Sequence, residues 1–175
     1  MEPPTIDTNP AFLEYVYQLT AGKELPEALE SGLQDIRDID FEQWQRIGLR
    51  TYAPGKWSLH KIVQHLIDWE RIWCFRAVIF AREEGTIPVA HDQEIMGAHS
   101  NADELPLERL LHEFQIVRQS TMLLFESFSE AMLQKRCRFF EYEMPLSAIG
   151  FTVVAHQLHH FRVIEERYLP LERES

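Results

Sequence analysis

Three histidines fall on the inward faces of two predicted helices, where their side chains could bind one metal ion. His65 shares a helical stripe with apolar residues, and His156 and His160 lie one turn apart on a second apolar stripe. Neutral imidazole nitrogens are ligands for zinc, nickel, iron and copper. Two histidines four residues apart can bind the same ion as a third histidine from a facing helix. Three protein ligands leave one position open for water or substrate, as in catalytic metal sites.

A simpler interpretation makes the same histidines hydrogen-bonded residues of the core. A single inward histidine is more often a core residue than a ligand, and one pair at this spacing is a weak signal. A buried polar group without a partner costs about 1–3 kcal/mol. A metal ion would satisfy all three imidazoles at once, provided that the two helices face each other.

The elements that position these histidines are predicted to be long helices. Apolar residues recur at spacings of three and four, and the chain has only 7 glycines, which predicts an all-α fold. Ser58 is a predicted N-cap, Pro106 suits a first helical turn, and Pro170 is expected to stop the last helix. The predicted helices are 10–20, 24–39, 58–84, 106–129 and 146–167. Four long helices with one long connection predict a four-helix bundle, in which ligand sites form between facing helices.

The long connection is predicted to span residues 85–105, where the helical periodicity is lost and no Lys or Arg occurs. We expect an exposed crossover rather than another core helix, and a lid over the site is the alternative. The segment 137–145 is expected to be a second break. No repeat or domain boundary is evident, so residues 1–175 are predicted to form one domain.

Composition excludes several classes of partner. The net charge of −11, from 28 acidic and 17 basic side chains, disfavours binding to nucleic acid or to anionic membranes. No apolar stretch approaches the ~20 residues of a membrane-spanning helix. Cys74 and Cys137 could form at most one disulfide, and we interpret both as reduced thiols. We therefore expect a cytoplasmic protein whose partner is neither nucleic acid nor a membrane.

Most of the chain resembles the DinB/YfiT-like family of metal-binding four-helix bundles. The segment Tyr-Ala-Pro-Gly-Lys-Trp-Ser at 52–58 resembles the family's lead-in to its second helix. The segment His-Leu-Ile-Asp-Trp-Glu at 65–70 resembles its histidine segment, and Arg76 and Arg82 match arginine positions of the family. The segment His-Gln-Leu-His-His at 156–160 is similar to its paired-histidine motif.

The resemblance implies a metal site formed by His65, His156 and His160, because the first and last histidines of the paired motif are ligands in the family. It also implies a homodimer. The chain departs from the family at two positions, where Ala155 replaces a frequent glycine and Gln157 a frequent glutamate. Glutamine can still form hydrogen bonds, but it lacks the negative charge that an acidic role at this position would need.

The resemblance further implies a metal-dependent thiol S-transferase. In such an enzyme, zinc, nickel or iron would favour the thiolate of a low-molecular-weight thiol, which attacks an electrophilic small molecule. A hydrolase that uses a metal-bound water is an alternative, and Asp68 is then a candidate general base. A non-catalytic metal-binding or interaction module is a further alternative.

The other conspicuous side chains have structural interpretations. Arg118 is expected in a buried ion pair, with a substrate carboxylate as the alternative partner. Several aromatic residues of the long central helix are expected in the core rather than at a dimer interface: Trp69, Trp73 and Phe80. Three histidines outside the inward stripes are expected to be exposed: His91, His99 and His112.

Overall fold

Four long helices form the fold in the computed structural model, which describes residues 15, 18–20, 22–83, 91–139 and 142–174. The α-helices are Leu25–Arg37 (α1), Phe41–Ile47 (α2), Leu59–Ala81 (α3), Gln93–Ala98 (α4), Leu107–Glu126 (α5), Glu130–Leu133 (α6) and Ser147–Val163 (α7). Of the predicted helix 10–20, residues 15 and 18–20 are helical, and the others lie outside the described residues. None of the described helices is long and apolar enough to cross a membrane.

The long helices pack as a four-helix bundle, which confirms the predicted fold class. Helix α3 packs against α5 and α7, and α1 packs against the same two helices. Helices α3 and α5 run in the same direction, because Glu70 pairs with Arg118 and Cys74 with Thr121. Parallel neighbours require a long connection between them, which explains the predicted crossover.

The start of α3 follows from its capping residue. The Ser58 hydroxyl accepts a hydrogen bond from the Lys61 backbone N–H at 3.1 Å, as predicted for an N-cap. Helix α3 ends at Ala81, three residues before the predicted end. Pro106 directly precedes α5, where the missing N–H of proline costs no helical hydrogen bond.

A buried ion pair links α3 to α5 inside the bundle. Arg118 is fully buried, and its Nε and Nη2 donate to the two Glu70 carboxylate oxygens at 2.8 and 2.9 Å. A Cβ at Gly32 of α1 would lie 2.3 Å from Arg118 Nη1, so this glycine makes room for the guanidinium. The structure confirms the expected ion pair, and the alternative of a substrate carboxylate is wrong because Glu70 is the partner.

A short β-hairpin interrupts the mostly helical chain. The segment 137–145, predicted only as a break, belongs to the antiparallel strands Arg136–Phe139 (β1) and Tyr142–Pro145 (β2). Cys137 pairs with Met144 and both are buried, whereas Arg138 and Glu143 are exposed. This alternation is the two-residue period of a half-buried strand.

Two helical segments differ from the predictions. Helix α2 was not predicted, although Asp40 caps it by accepting a hydrogen bond from the Gln43 backbone N–H at 2.9 Å. Helix α7 ends at Val163 and continues as a π-helical turn, Ile164–Tyr168, and a 3₁₀ segment, Leu169–Glu174. Pro170 lies within that 3₁₀ segment, so the prediction that it stops the last helix is wrong.

Candidate metal centre

The three inward histidines meet between α3 and α7. His65 Nε2 lies 3.0 Å from His156 Nε2, and His160 Nε2 lies 3.2 Å from the same atom. One ring nitrogen of each histidine lies within 4.8 Å of the other two. Helices α3 and α7 therefore face each other, as the metal interpretation of the sequence required.

The spacing of these nitrogens suits a shared cation better than hydrogen bonds alone. A ring nitrogen carries either one hydrogen or one lone pair, so His156 Nε2 cannot form a well-aligned hydrogen bond with both neighbours. Two nitrogens that each lie about 2.0–2.1 Å from one tetrahedral ion are about 3.3 Å apart. Two of the three separations, 3.0 and 3.2 Å, are close to this value, and all three ligand nitrogens lie within 4.8 Å of one another, so the group can hold a divalent ion once the more distant nitrogens move closer together.

Burial keeps the three imidazoles neutral. Desolvation lowers the pKa of His65 to about 4 and, with the neighbouring histidines, lowers that of His160 to about 3. Desolvation also holds the pKa of His156 well below its ordinary value, and charge on His160 or His65 would lower it further. Neutral imidazoles keep the lone pairs that a metal needs, so the site is ready to bind at neutral pH.

A cavity of about 510 Å³ opens beside the histidines, and His156 and His160 contribute to its wall. Much of the remaining wall is aromatic, from Tyr52, Trp57, Trp69, Trp73 and Tyr168. Trp69 and Trp73 were expected in the core, and both line this cavity, although Trp73 also packs half-buried against the core. Phe80 is half-buried against the core, as expected.

The crossover contributes to the same cavity. Gln93 and Glu94 of α4 line it, so this segment is more than the exposed connection that the sequence favoured. Ala102, which follows α4 in a short 3₁₀ helix, is fully buried. Residues 85–90 of the predicted crossover lie outside the described residues.

Asp68, the candidate general base, and Gln157, which replaces a frequent glutamate of the family, both have structural roles. Asp68 accepts a hydrogen bond from Gln64 Nε2 at 2.8 Å and does not line the described cavity, so the structure does not support it as a base. Burial raises the pKa of its carboxyl group.

Gln157 is fully buried and donates from Nε2 to the Gly32 carbonyl oxygen at 2.8 Å. It packs α7 against α1 instead of facing the metal centre.

Sequence reasoning missed one histidine near the site. His159 lines the cavity, and its ring centroid lies 5.1 Å from that of His160. Helical periodicity places it on a different stripe, and its only signal was its adjacency to a candidate ligand. Three other histidines outside the inward stripes are exposed, as expected: His91, His99 and His112.

Both cysteines are free thiols, of which Cys137 is buried and Cys74 is half-buried. Desolvation raises the pKa of Cys74 and of Cys137 to about 11. At about pH 8 only about a thousandth of each thiol is ionised, and the thiolate is the reactive form. We expect Ellman's reagent to label the folded protein at least about a hundredfold more slowly than the unfolded protein.

The reference for this labelling experiment is the same protein in concentrated guanidinium chloride. The rate for the folded protein should rise as the pH approaches the raised pKa of the thiols. Rapid labelling of either cysteine in the folded protein at about pH 8 would contradict the burial seen here.

Comparison with known proteins agrees with the four-helix bundle fold. A family model described as the DinB superfamily matches residues 36–164. YfiT from Bacillus subtilis, described as a probable metal-dependent hydrolase with an unusual four-helix bundle topology, matches with a TM-score of 0.65 at 16% identity. The match covers 94% of this chain and 91% of that chain. No curated protein matches the sequence. The family match spans three of the four long helices in full, the last two residues of α1 and all three histidines, and the chain therefore belongs to the DinB superfamily.

Proposed function

We propose that this protein is a metal-dependent thiol S-transferase. His65, His156 and His160 would bind a divalent transition metal ion, with zinc, nickel and iron as candidates. The observation that carries the proposal is the convergence of three neutral imidazole nitrogens beside an aromatic cavity. When bound, the ion supplies Lewis acidity, which favours the ionised form of a low-molecular-weight thiol at its open position.

The side chains around the cavity favour a thiol over water as the nucleophile. A hydrolase needs a general base near its attacking water. Among the described residues that line the cavity, the only carboxylate is that of Glu94, which is exposed on α4. A thiol has an ordinary pKa of about 8.5 and water one of about 15.7, so a thiol needs far less help to ionise.

The thiol has to come from outside the protein. Cys74 and Cys137 are the chain's two cysteines, and burial raises the pKa of both thiols to about 11. Neither lines the cavity. The protein's own residues would hold the ion, exclude water with apolar walls and orient the electrophile against the incoming thiol.

A homodimer and a cytoplasmic location stay predictions.

A hydrolase is the second candidate. YfiT carries that description, and Glu94 and His159 both line the cavity of this chain, where either could accept a proton from water. A non-catalytic metal-binding module differs from both enzymes because it would bind metal but neither a thiol nor a hydrolysable substrate.

The test measures thiol binding with and without metal. Zinc-loaded and metal-free protein are titrated with bacillithiol and L-cysteine by calorimetry, with L-serine as the matched oxygen control. Because the ion stabilises a thiolate, we expect the thiols to bind the zinc-loaded protein at least about tenfold more tightly, and serine to show no such gain. Cobalt-substituted protein should gain a near-ultraviolet absorption band when a thiol binds.

The other outcomes separate the alternatives. Hydrolysis of 4-nitrophenyl acetate that requires zinc and is indifferent to added thiol would overturn the transferase in favour of a hydrolase. Tight zinc binding with neither thiol affinity nor ester hydrolysis would indicate that the protein is a non-catalytic metal-binding module.

A further inference from the structure

We propose that the cavity beside the three histidines selects small molecules that carry a flat aromatic group, and that Trp57 determines this selectivity. The inference rests on the proposed function, because the selected molecule would be the electrophile that accepts the thiol. It concerns the walls of the cavity and not the metal ligands, so the two proposals can fail separately.

Trp57 is fixed between the crossover helix and the metal centre. A Cβ added to Gly97 of α4 would lie 2.7 Å from Cζ2 and 2.9 Å from Cε2 of the indole, so the helix backbone rests directly on the ring. The centroid of the indole lies 4.9 Å from that of the His65 imidazole. Tyr168 donates a hydrogen bond from its hydroxyl to the Trp57 carbonyl oxygen at 2.6 Å. These contacts hold the indole as a rigid wall.

The other walls favour aromatic rings over polar groups. Tyr52, Trp69 and Trp73 line the cavity together with Trp57 and Tyr168. Tyr168 is buried at 1% exposure and its hydroxyl already donates to the Trp57 carbonyl oxygen, so it supports the wall through Trp57 and adds no further polar donor to it. Aromatic pairs gain about 0.5–1.5 kcal/mol beyond the burial of apolar area, which a saturated ring of equal size does not.

Apart from the histidines at the metal centre, the charged and amide side chains of the cavity lie at its rim. Lys56, Gln93 and Glu94 line it and are all exposed. The volume of about 510 Å³ lies in the range of about 300–1,000 Å³ that is typical of small-molecule sites. A ligand therefore fits the cavity best when its aromatic ring packs against Trp57 and its polar substituents point toward the polar side chains at the rim.

The test compares two alcohols with the same carbon skeleton. 2-Naphthol is flat and aromatic, whereas decahydro-2-naphthol is puckered and saturated. Binding of each to zinc-loaded protein is measured by ligand-observed NMR titration. We expect 2-naphthol to bind about two- to tenfold more tightly, which corresponds to one aromatic contact. Trp57→Leu should abolish this preference and Trp57→Phe should retain most of it.

Gly97→Ala provides a second, independent variant. Its new Cβ must displace the indole, so the affinity for 2-naphthol should fall although Trp57 itself is intact. Ala98→Ser, at the exposed neighbouring position of the same helix, is the matched control and should bind like the unmodified protein. The zinc content of every variant is measured to show that the metal centre is unchanged.

Equal affinity for the two alcohols in the unmodified protein, or an undiminished preference in Trp57→Leu, would overturn the inference. Neither titration needs a thiol. A preference for 2-naphthol without any thiol binding would overturn the proposed function alone. Metal-dependent thiol binding without a preference for 2-naphthol would overturn this inference alone.

Discussion

Replacing His156 with alanine is expected to lower the affinity for a divalent transition metal by at least about a hundredfold. Its Nε2 is the atom that both other imidazoles approach, at 3.0 and 3.2 Å. Loss of an outer partner of a metal ligand already costs about 10–100-fold in metal affinity, and loss of a ligand itself should cost more. His65→Ala and His160→Ala should have similar effects, because each removes one of the three nitrogens.

The measurement is the metal content of protein purified without chelators and without a histidine-rich tag, followed by zinc titration. His60→Ala and His159→Ala are the matched controls, since each removes a histidine from the same two helices. The first contacts the Ala102 carbonyl oxygen at 3.3 Å, and the second lies beside the cluster but outside it. Both controls should retain about one metal per chain. Circular dichroism should show that every variant keeps its helices.

One outcome would refute the metal centre altogether. If the unmodified protein is purified without metal and binds none on titration, the three histidines are a hydrogen-bonded core cluster. The alanine variants would then change stability alone, and both enzymatic proposals would fall with the site.

The sequence predicts the inward direction of the three clustered histidines because helical periodicity determines which side chains face inward. His65 shares its stripe with Ile62 and Trp69, and the paired histidines follow Ile149 and Val153, so the direction of each ring was predictable. Which helices face each other depends on the path of the crossover, which periodicity does not reveal. The juxtaposition of α3 and α7 therefore required the structure.

Other features were missed for reasons that differ from residue to residue. Glu70 follows Val63 by seven residues and Ile67 by three, so its inward direction was readable, but a carboxylate is assigned to the surface unless its partner is known. Strands of four residues are too short for a two-residue period to stand out, which hid the hairpin. The contact of Gly97 with Trp57 is a backbone approach, for which a single glycine in a connection gives no specific signal.

The second large effect is expected at the buried ion pair. Glu70→Gln should lower the free energy of unfolding by about 3–5 kcal/mol, because it leaves the Arg118 guanidinium buried without a compensating charge. The side chains of Arg118 and Glu70 are 0% and 2% exposed, so water cannot replace the lost partner. Denaturation by urea, followed by circular dichroism, measures the change.

Glu113→Gln is the matched control for this prediction. Glu113 pairs with Arg71 at 2.8 Å and also links α3 to α5, but its partner is 52% exposed. Solvent screens such a pair, so its loss should cost less than about 1 kcal/mol. A similar cost for the two variants would show that water reaches the inner pair, which would contradict the burial of Arg118.

A double variant separates the cost of leaving Arg118 unpaired from the net contribution of the ion pair to the free energy of unfolding. Glu70→Leu combined with Arg118→Met removes both charges and keeps apolar volume at the α3–α5 contact. Because removing two buried charges also removes their desolvation cost, the double variant should be markedly more stable than Glu70→Gln and close to the unmodified protein. If it also keeps its zinc, the ion pair orients the helices without being needed by the metal centre. If it folds but loses zinc, the pair sets the position of α3, and with it the position of His65 opposite His156.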